Sequence, residues 1–252
     1  MVQAPLAILA EDKYKDIHRK FLDQKAKDFL PPTYTREQIR GWERQREVIA
    51  ATYLKKDNSV VEIPFSGGAS TSLIVMRPVS RGTLFINTTD VYAEPVIDYF
   101  ANFNPVDTDI AVAMLRYYRK YMSAPSHQVL GPEEVAPGLQ VDTDEELADY
   151  VASSMGVSAG HSCCTAALGP KDLGGVVDSD LTVHGVTGLS VSDISAIPLI
   201  PATHTCATVY ALSEKVRSIH AYMNFLTLQQ GADLIKRRYN PRIPPAQHPG
   251  GH

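Results

Sequence analysis

The pattern of apolar and polar positions predicts helices in the first part of the chain, followed by short strands. The charged run DKYKDIHRKFLDQKAKDFL is typical of a helix, so we predict an N-terminal helical segment over residues 1–33, which a pair of prolines ends. Thr35 and Gln38 have the spacing of a capping box, which predicts the start of a second helix. The β-branched runs VVEIPFS, TSLIVMRPVS and GTLFIN predict strands, with a turn at Gly67-Gly68 between the first two.

The rest of the chain again places strands and helices in blocks. PVIDYF predicts a short strand or bend, and DTDIAVAMLRYYRKYM carries apolar residues at helical spacing. Thr143 is placed to cap a further helix, TDEELADYVASSM, whose first turn is acidic. VVDSDLTVHGV and LSVSDISAIP predict strands, and a long helix is predicted over residues 205–223. The layout is therefore that of the α+β class.

Composition excludes several classes of partner. Lys and Arg total 24 against 28 Asp and Glu, so the net charge of −4 leaves no basic excess to bind a nucleic-acid backbone. No apolar run reaches the roughly 18 residues of a membrane span, and the N-terminus has no cationic stretch of the kind that opens a secretory signal. Three cysteines form no disulfide framework. We therefore expect a cytoplasmic protein that binds neither nucleic acid nor membrane.

Histidine and cysteine cluster at His161, Cys163, Cys164, His204 and Cys206. Imidazole and thiolate are ligands that zinc prefers, but this spacing matches no known zinc motif, and neighbouring cysteines in a strand point to opposite faces. The pattern favours small buried apolar cysteines over a metal site. No G-x-G pair occurs, so the chain has no dinucleotide-binding loop.

The two histidines of this cluster are also candidates for an acid–base pair. His204 lies where the long helix is predicted to begin, and the positive end of a helix dipole favours a neutral imidazole that can accept a proton. The alternative is that each is a core histidine held by a backbone group. The spacing of His161 and His204 does not by itself bring them together.

The order of these motifs resembles the glucose–methanol–choline (GMC) oxidoreductases. HSCCTAALGPKDLGGVVDSDLTVHGVTGLSVSDISAIP, followed by a histidine that heads a helix, is similar to the family's C-terminal motif, and MRPVSRGTLFIN to its P-x-S-R-G segment. The resemblance covers about residues 34–235 and implies a fungal-type substrate domain, an antiparallel sheet with helices on one face, plus the C-terminal remnant of the flavin domain. The implied regions are the N-terminal helical segment (1–33), the substrate-binding region (34–158), the catalytic motif region (159–235) and a flexible tail (236–252).

In that family, flavin adenine dinucleotide (FAD) accepts hydride from an alcohol. The resemblance implies that His161 takes the hydroxyl proton and that His204 is its acid–base or orienting partner. It also implies that the chain passes the flavin ahead of the last helix, and that the helix N-terminus faces the flavin ring and favours an anionic reduced flavin. The implied cofactor-binding residues are Asp193, Ile194, Thr205 and Cys206.

The sequence also departs from the family's pattern. Family members are longer, and their dinucleotide loop lies ahead of the region that this chain matches. Ser162, Cys164 and Leu168 replace the usual proline, glycine and methionine, and Ile194 stands where alanine or glycine is usual. Because small residues allow a backbone to approach a cofactor closely, we expect FAD binding by this chain to be weak or absent.

Three functions follow from these observations. The first is the catalytic and substrate-binding half of a GMC alcohol oxidoreductase of secondary metabolism, truncated or completed by a flavin-domain partner, which acts on an apolar alcohol or polyketide-like metabolite. The second is a flavin-independent, redox-neutral dehydratase, isomerase or cyclase that uses the histidine pair. The third is a non-catalytic binding protein. Apolar strands left without a neighbour would be exposed, so we expect a homodimer or a hetero-partner.

Overall fold

A strand precedes the first helix of the chain. The computed structural model describes residues 2–64 and 72–213. Strand β1 (Val2–Ala4) pairs antiparallel with β2 (Val61–Ile63), and β2 pairs antiparallel with β3 (Ile74–Val75). The prediction of helix from the first residue is therefore wrong, because a three-residue strand that pairs with a distant one is too short to show a period.

Helices α1 (Glu11–Asp23) and α2 (Arg36–Tyr53) pack against each other through aromatic side chains. The ring centroid of Phe21 lies 5.4 Å from that of Trp42 and 5.8 Å from that of Tyr53, and all three side chains are buried. Such tilted pairs stabilise a core beyond the area they bury. Short 3-10 helices lie at Leu6–Ile8 and Ala26–Phe29.

Both helix starts predicted from capping residues are confirmed. The Thr35 hydroxyl accepts the backbone N–H of Gln38, whose side chain accepts the N–H of Thr35, and this capping box begins α2. Thr143 and Glu146 form the same reciprocal pair at the start of α5 (Asp144–Ser154). Each box satisfies two backbone donors that the helix itself leaves without acceptors.

Helix α3 (Pro105–Met122) begins at Asn104, whose side chain caps it, and contacts α1, α5 and β3. The buried carboxylate of Asp107 accepts the backbone N–H groups of Val79 (2.7 Å) and Ser80 (2.8 Å). Burial raises the pKa of Asp107, and these hydrogen bonds oppose that rise. The side chain thereby fastens the segment after β3 to the first turn of α3.

Helices α3 and α5 share an apolar contact on their facing sides. Val112 from α3 packs with Leu147 and Val151 from α5, and all three are buried. A single-turn helix, α4 (Pro125–Gln128), lies between α3 and α5 in the chain. The apolar residues that recur at helical spacing in α3 thus belong to a helix with one face in the core.

A second antiparallel pair, β4 (Thr83–Phe85) and β5 (Val96–Asp98), follows the first sheet. A Cβ atom at Gly82 would overlap the backbone of Asp98, so only glycine allows this close approach. The predicted α+β class is confirmed. In the described part of the chain, however, the strands form a three-stranded and a two-stranded sheet rather than one.

The chain divides into two compact units, Met1–Ala159 and Gly160–His252. The described part of the second unit contains short 3-10 helices at Lys171–Leu173 and Ile194–Ala196, and helix α6 (Thr205–Ser213). Helix α6 confirms the start of the long predicted helix, whose remainder lies outside the described residues. No helix in residues 2–64 or 72–213 combines the length and apolarity needed to cross a membrane.

The two strands predicted in VVDSDLTVHGV and LSVSDISAIP are absent from the described second unit, where isolated bridges such as Val177 with Val183 replace them. The carboxylate of Asp178 accepts the backbone N–H of Thr182, and Leu181 has a φ of +58°. This turn reverses the chain in the middle of the β-branched run, so the run cannot extend as one strand.

Candidate active site

The structure brings the two predicted histidines together. The ring centroids of His161 and His204 lie 5.0 Å apart, and their planes meet edge to face at 81°. His161 is half-buried and His204 is exposed. One neutral imidazole can accept a proton while the other donates a hydrogen bond, so this pair has the groups that acid–base chemistry requires.

Backbone hydrogen bonds hold the loop that follows His161. Every second N–H of the loop points to the short 3-10 helix that follows Asp193, so the loop lies alongside it in register. This arrangement gives the half-buried loop backbone its hydrogen-bond partners and fixes the chain direction at His161. The bonds join Cys164 N to Ile194 O (3.3 Å), Ala166 N to Ser195 O (2.9 Å) and Leu168 N to Ala196 O (2.9 Å).

The 3-10 helix Ile194–Ala196 is itself anchored at both ends. At its start, the exposed Asp193 side chain accepts the backbone N–H of Ser195 at 2.7 Å. At its end, Ala196 is buried against Val177 and Leu181. The contact made by Asp193 is therefore that of a helix cap, and the role in cofactor binding expected for Asp193 and Ile194 stays a prediction.

The second histidine directly precedes α6, which packs against the same 3-10 helix. Thr205 is buried at the start of α6, whereas Cys206 is exposed. The first-turn amides of a helix have no intrahelical acceptors and carry its positive dipole end, so the chain beside His204 offers hydrogen-bond donors. Both histidines are thus positioned by one three-residue element.

The two adjacent cysteines lie side by side, contrary to the expectation of opposite faces. The Sγ atoms of Cys163 and Cys164 are 3.0 Å apart, both side chains are half-buried, and Cys206 is exposed, so the expectation of buried cysteines is also wrong. Cys164 has a φ of +71°, and alternation of side chains holds only for extended backbone. The family pattern has glycine at this position, and a glycine there indicates a left-handed backbone.

Other patterns near the site have structural explanations. GVSAG at residues 156–160 spells the G-x-S-x-G of a hydrolase elbow, but it follows helix α5 rather than a strand, so the strand–turn–helix geometry is missing. His184 Nε2 donates to the carbonyl oxygen of Gly169 at 2.9 Å and holds two loops together. Within the described ranges, no three His, Cys, Asp or Glu side chains group as a metal ion requires.

Comparison with known proteins identifies the family. The sequence profile of the GMC oxidoreductases matches residues 78–213, which include both histidines and all four predicted cofactor-binding residues. The chain belongs to the GMC oxidoreductase family. A GMC relative of known sequence, the dehydrogenase xptC of Emericella nidulans, is 35% identical over 192 residues, which are 76% of this chain and 31% of the relative.

Solved structures of similar proteins agree with this membership. An FAD-dependent oxidoreductase from Chaetomium thermophilum matches with a TM-score of 0.84 and 34% identity, over 94% of this chain and 38% of its own. A fungal aryl-alcohol oxidase matches with a TM-score of 0.80 and 33% identity over the same shares. The GMC chain described here thus spans about a third of the length of the relatives it matches.

Proposed function

We propose that this chain provides the substrate-side acid–base pair of an alcohol-oxidising GMC enzyme. The observation that carries the proposal is the contact between His161 and His204, whose ring centroids lie 5.0 Å apart. The family membership and the likeness to an aryl-alcohol oxidase supply the reaction class, oxidation of a CH–OH group. An imidazole nitrogen of His161 accepts the hydroxyl proton, and an N–H of His204 holds the substrate oxygen.

In this proposal the described residues form one side of a flavin site. Thr205 and Cys206 lie in the first turn of α6. Their backbone N–H groups have no acceptor within the helix, and this end of the helix would stabilise an electron-rich ring. Asp193 and Ile194 would line the same side, because their 3-10 helix packs on α6. FAD, when bound, supplies the hydride acceptor. The chain itself supplies the proton acceptor, the oxygen-orienting donor and one wall of the site.

The proposed substrate is a small apolar alcohol or a polyketide-like metabolite, and the proposed partner is a second copy or a flavin domain. Exposed apolar side chains on the second sheet support a partner, because Phe85 is 47% and Ile97 51% exposed. Light scattering tests this part of the proposal. A monodisperse monomer that binds no hydrophobic dye would contradict it.

The first experiment is titration calorimetry with FAD of the purified chain, alone and mixed with the flavin domain of a GMC relative, because we expect the chain alone to bind FAD weakly or not at all. The sample that binds FAD is then mixed anaerobically with aryl alcohols. We expect flavin bleaching, slowed by about 10² to 10⁴-fold in His161→Asn. His18→Asn, in α1 of the other unit, is the matched control and should bleach at the wild-type rate. Bleaching at the wild-type rate in His161→Asn, or no bleaching by the loaded protein with any alcohol, would refute the proposed roles.

A second candidate is a redox-neutral acid–base reaction: dehydration, isomerisation or cyclisation. The observation that favours it is the half-buried Ile194 beside the loop of His161, where the family pattern has a small residue. The chain without FAD would then exchange substrate protons with solvent deuterium, and His204→Asn would abolish the exchange. Tight stoichiometric FAD binding in the calorimetry would count against this candidate.

A further inference from the structure

Two thiols stand in contact on the loop that follows His161. The Sγ atoms of Cys163 and Cys164 are 3.0 Å apart, well inside the reach of a single bridging atom. The pair arises because Cys164 adopts a φ of +71°, which turns its side chain towards that of its neighbour. Left-handed backbone costs a non-glycine residue about 1–2 kcal/mol, so the structure holds this pair at an energetic cost.

The backbone around the pair is held in place while the side chains remain accessible. The N–H of Cys164 donates to the carbonyl oxygen of Ile194, and the next donors of the loop continue along the same 3-10 helix. Both thiols are half-buried and therefore open to a small reagent. A pre-organised pair loses little conformational entropy when both sulfurs bind one centre.

We propose that Cys163 and Cys164 form a vicinal-dithiol site that chelates a soft, thiophilic centre, of which an organic trivalent arsenical is the type. Soft thiolate ligands select soft centres. In this reaction two As–O bonds are exchanged for two As–S bonds, the thiol protons leave with the oxygens as water, and no electrons are transferred. The proposal does not rest on the proposed alcohol oxidation.

The geometry favours chelation over two other fates of the pair. Zinc in structural sites takes four ligands. Among the described residues, no third or fourth His, Cys, Asp or Glu side chain is close enough to bind a metal ion together with these sulfurs. Direct oxidation would give a strained disulfide, because neighbouring Cα atoms lie about 3.8 Å apart and ordinary disulfides span roughly 4.4–6.8 Å. An atom inserted between the sulfurs relieves that constraint.

The test is intact-mass spectrometry of the full chain with phenylarsine oxide. We expect one phenylarsenic unit to add with loss of two thiol hydrogens, to resist excess monothiol and to be released by a dithiol. Cys163→Ser and Cys164→Gly should each weaken binding by roughly 10²-fold or more, because the second thiolate no longer binds intramolecularly. Cys206→Ser, which removes an exposed thiol of α6, is the matched control and should bind as the wild type does.

A second measurement needs no variant. In the wild-type chain, phenylarsine oxide should protect Cys163 and Cys164 from alkylation by iodoacetamide and leave Cys206 reactive. Weaker binding in Cys164→Gly would not be a consequence of misfolding, because glycine adopts the left-handed backbone without strain. Undiminished binding in both Cys163→Ser and Cys164→Gly, or protection of Cys206 in place of the pair, would overturn the proposal.

Discussion

Replacing Asp107 with alanine should destabilise the first unit more than any change to a nearby surface carboxylate. The substitution leaves the N–H of Val79 buried without an acceptor, at a cost of about 1–3 kcal/mol. Ser80 is half-buried, so leaving its N–H without an acceptor costs less than leaving that of Val79. The sum is about 2–4 kcal/mol of unfolding free energy. Asp107→Asn retains one acceptor oxygen and should lose about half as much.

The matched control lies two residues along the same helix. Asp109 makes an ion pair with Lys20 at 3.1 Å, and an exposed pair of this kind contributes about 0–1 kcal/mol. Asp109→Ala should therefore lie close to the wild type.

Urea unfolding followed by tryptophan fluorescence is the assay for both variants. The chain has one tryptophan, and Trp42 is buried in the core of the first unit, so its emission reports on that unit. A loss of about 3 kcal/mol should move the urea midpoint by about 1 M. Equal midpoints for Asp107→Ala and Asp109→Ala would show that the two N–H groups do not depend on Asp107, and the reasoning would fail.

Three further changes test single contacts. Hydrogen bonds from the backbone N–H groups of Thr143 and Asp142 lower the pKa of Glu146 from 4.5. The Glu146 carboxylate therefore stabilises α5 above that pH, and this stabilisation is lost as the pH falls through the folded-state pKa. Glu146→Gln keeps the capping box without a charge, and its difference in stability from the wild type should shrink between pH 7 and pH 3 in circular-dichroism melts; a constant difference would contradict this. A Cβ at Gly175 would overlap the backbone of Gly169, so Gly175→Ala should lower stability by about 3 kcal/mol in thermal melts, and an unchanged melting temperature would refute the contact. Cys164→Gly should raise stability by about 1 kcal/mol by relieving the left-handed backbone, whereas Cys163→Ala should not; a loss in Cys164→Gly measured by the same melts would contradict the strain.

Helix starts were predictable from the sequence because they depend on residues three positions apart. Thr35 with Gln38 and Thr143 with Glu146 carry the whole signal within one turn. The strand Val2–Ala4 was not predictable, because its partner is β2, far along the chain, and three residues show no period. Its formation depends on tertiary pairing rather than on local preference.

The sequence indicated candidate site residues but not their geometry. Family patterns indicated His161 and His204, yet only the folded chain shows their rings in contact. The neighbouring thiols were misread because the alternation rule assumes an extended backbone, and the sign of φ at Cys164 decides where its side chain points. Asp193 fitted the pattern of a cofactor-lining residue, whereas its observed hydrogen bond is to the backbone of its own 3-10 helix.

The three-residue helix Ile194–Ala196 contacts both of the segments that carry the imidazoles. The loop of His161 is hydrogen-bonded to it, and α6, which His204 precedes, packs on it, so a displacement of this short helix acts on both rings. The amide hydrogens of Ala166 and Leu168 should exchange with solvent only when the loop of His161 detaches from this helix. Their exchange rates would measure how often the segment that positions His161 opens, without a substrate or a cofactor.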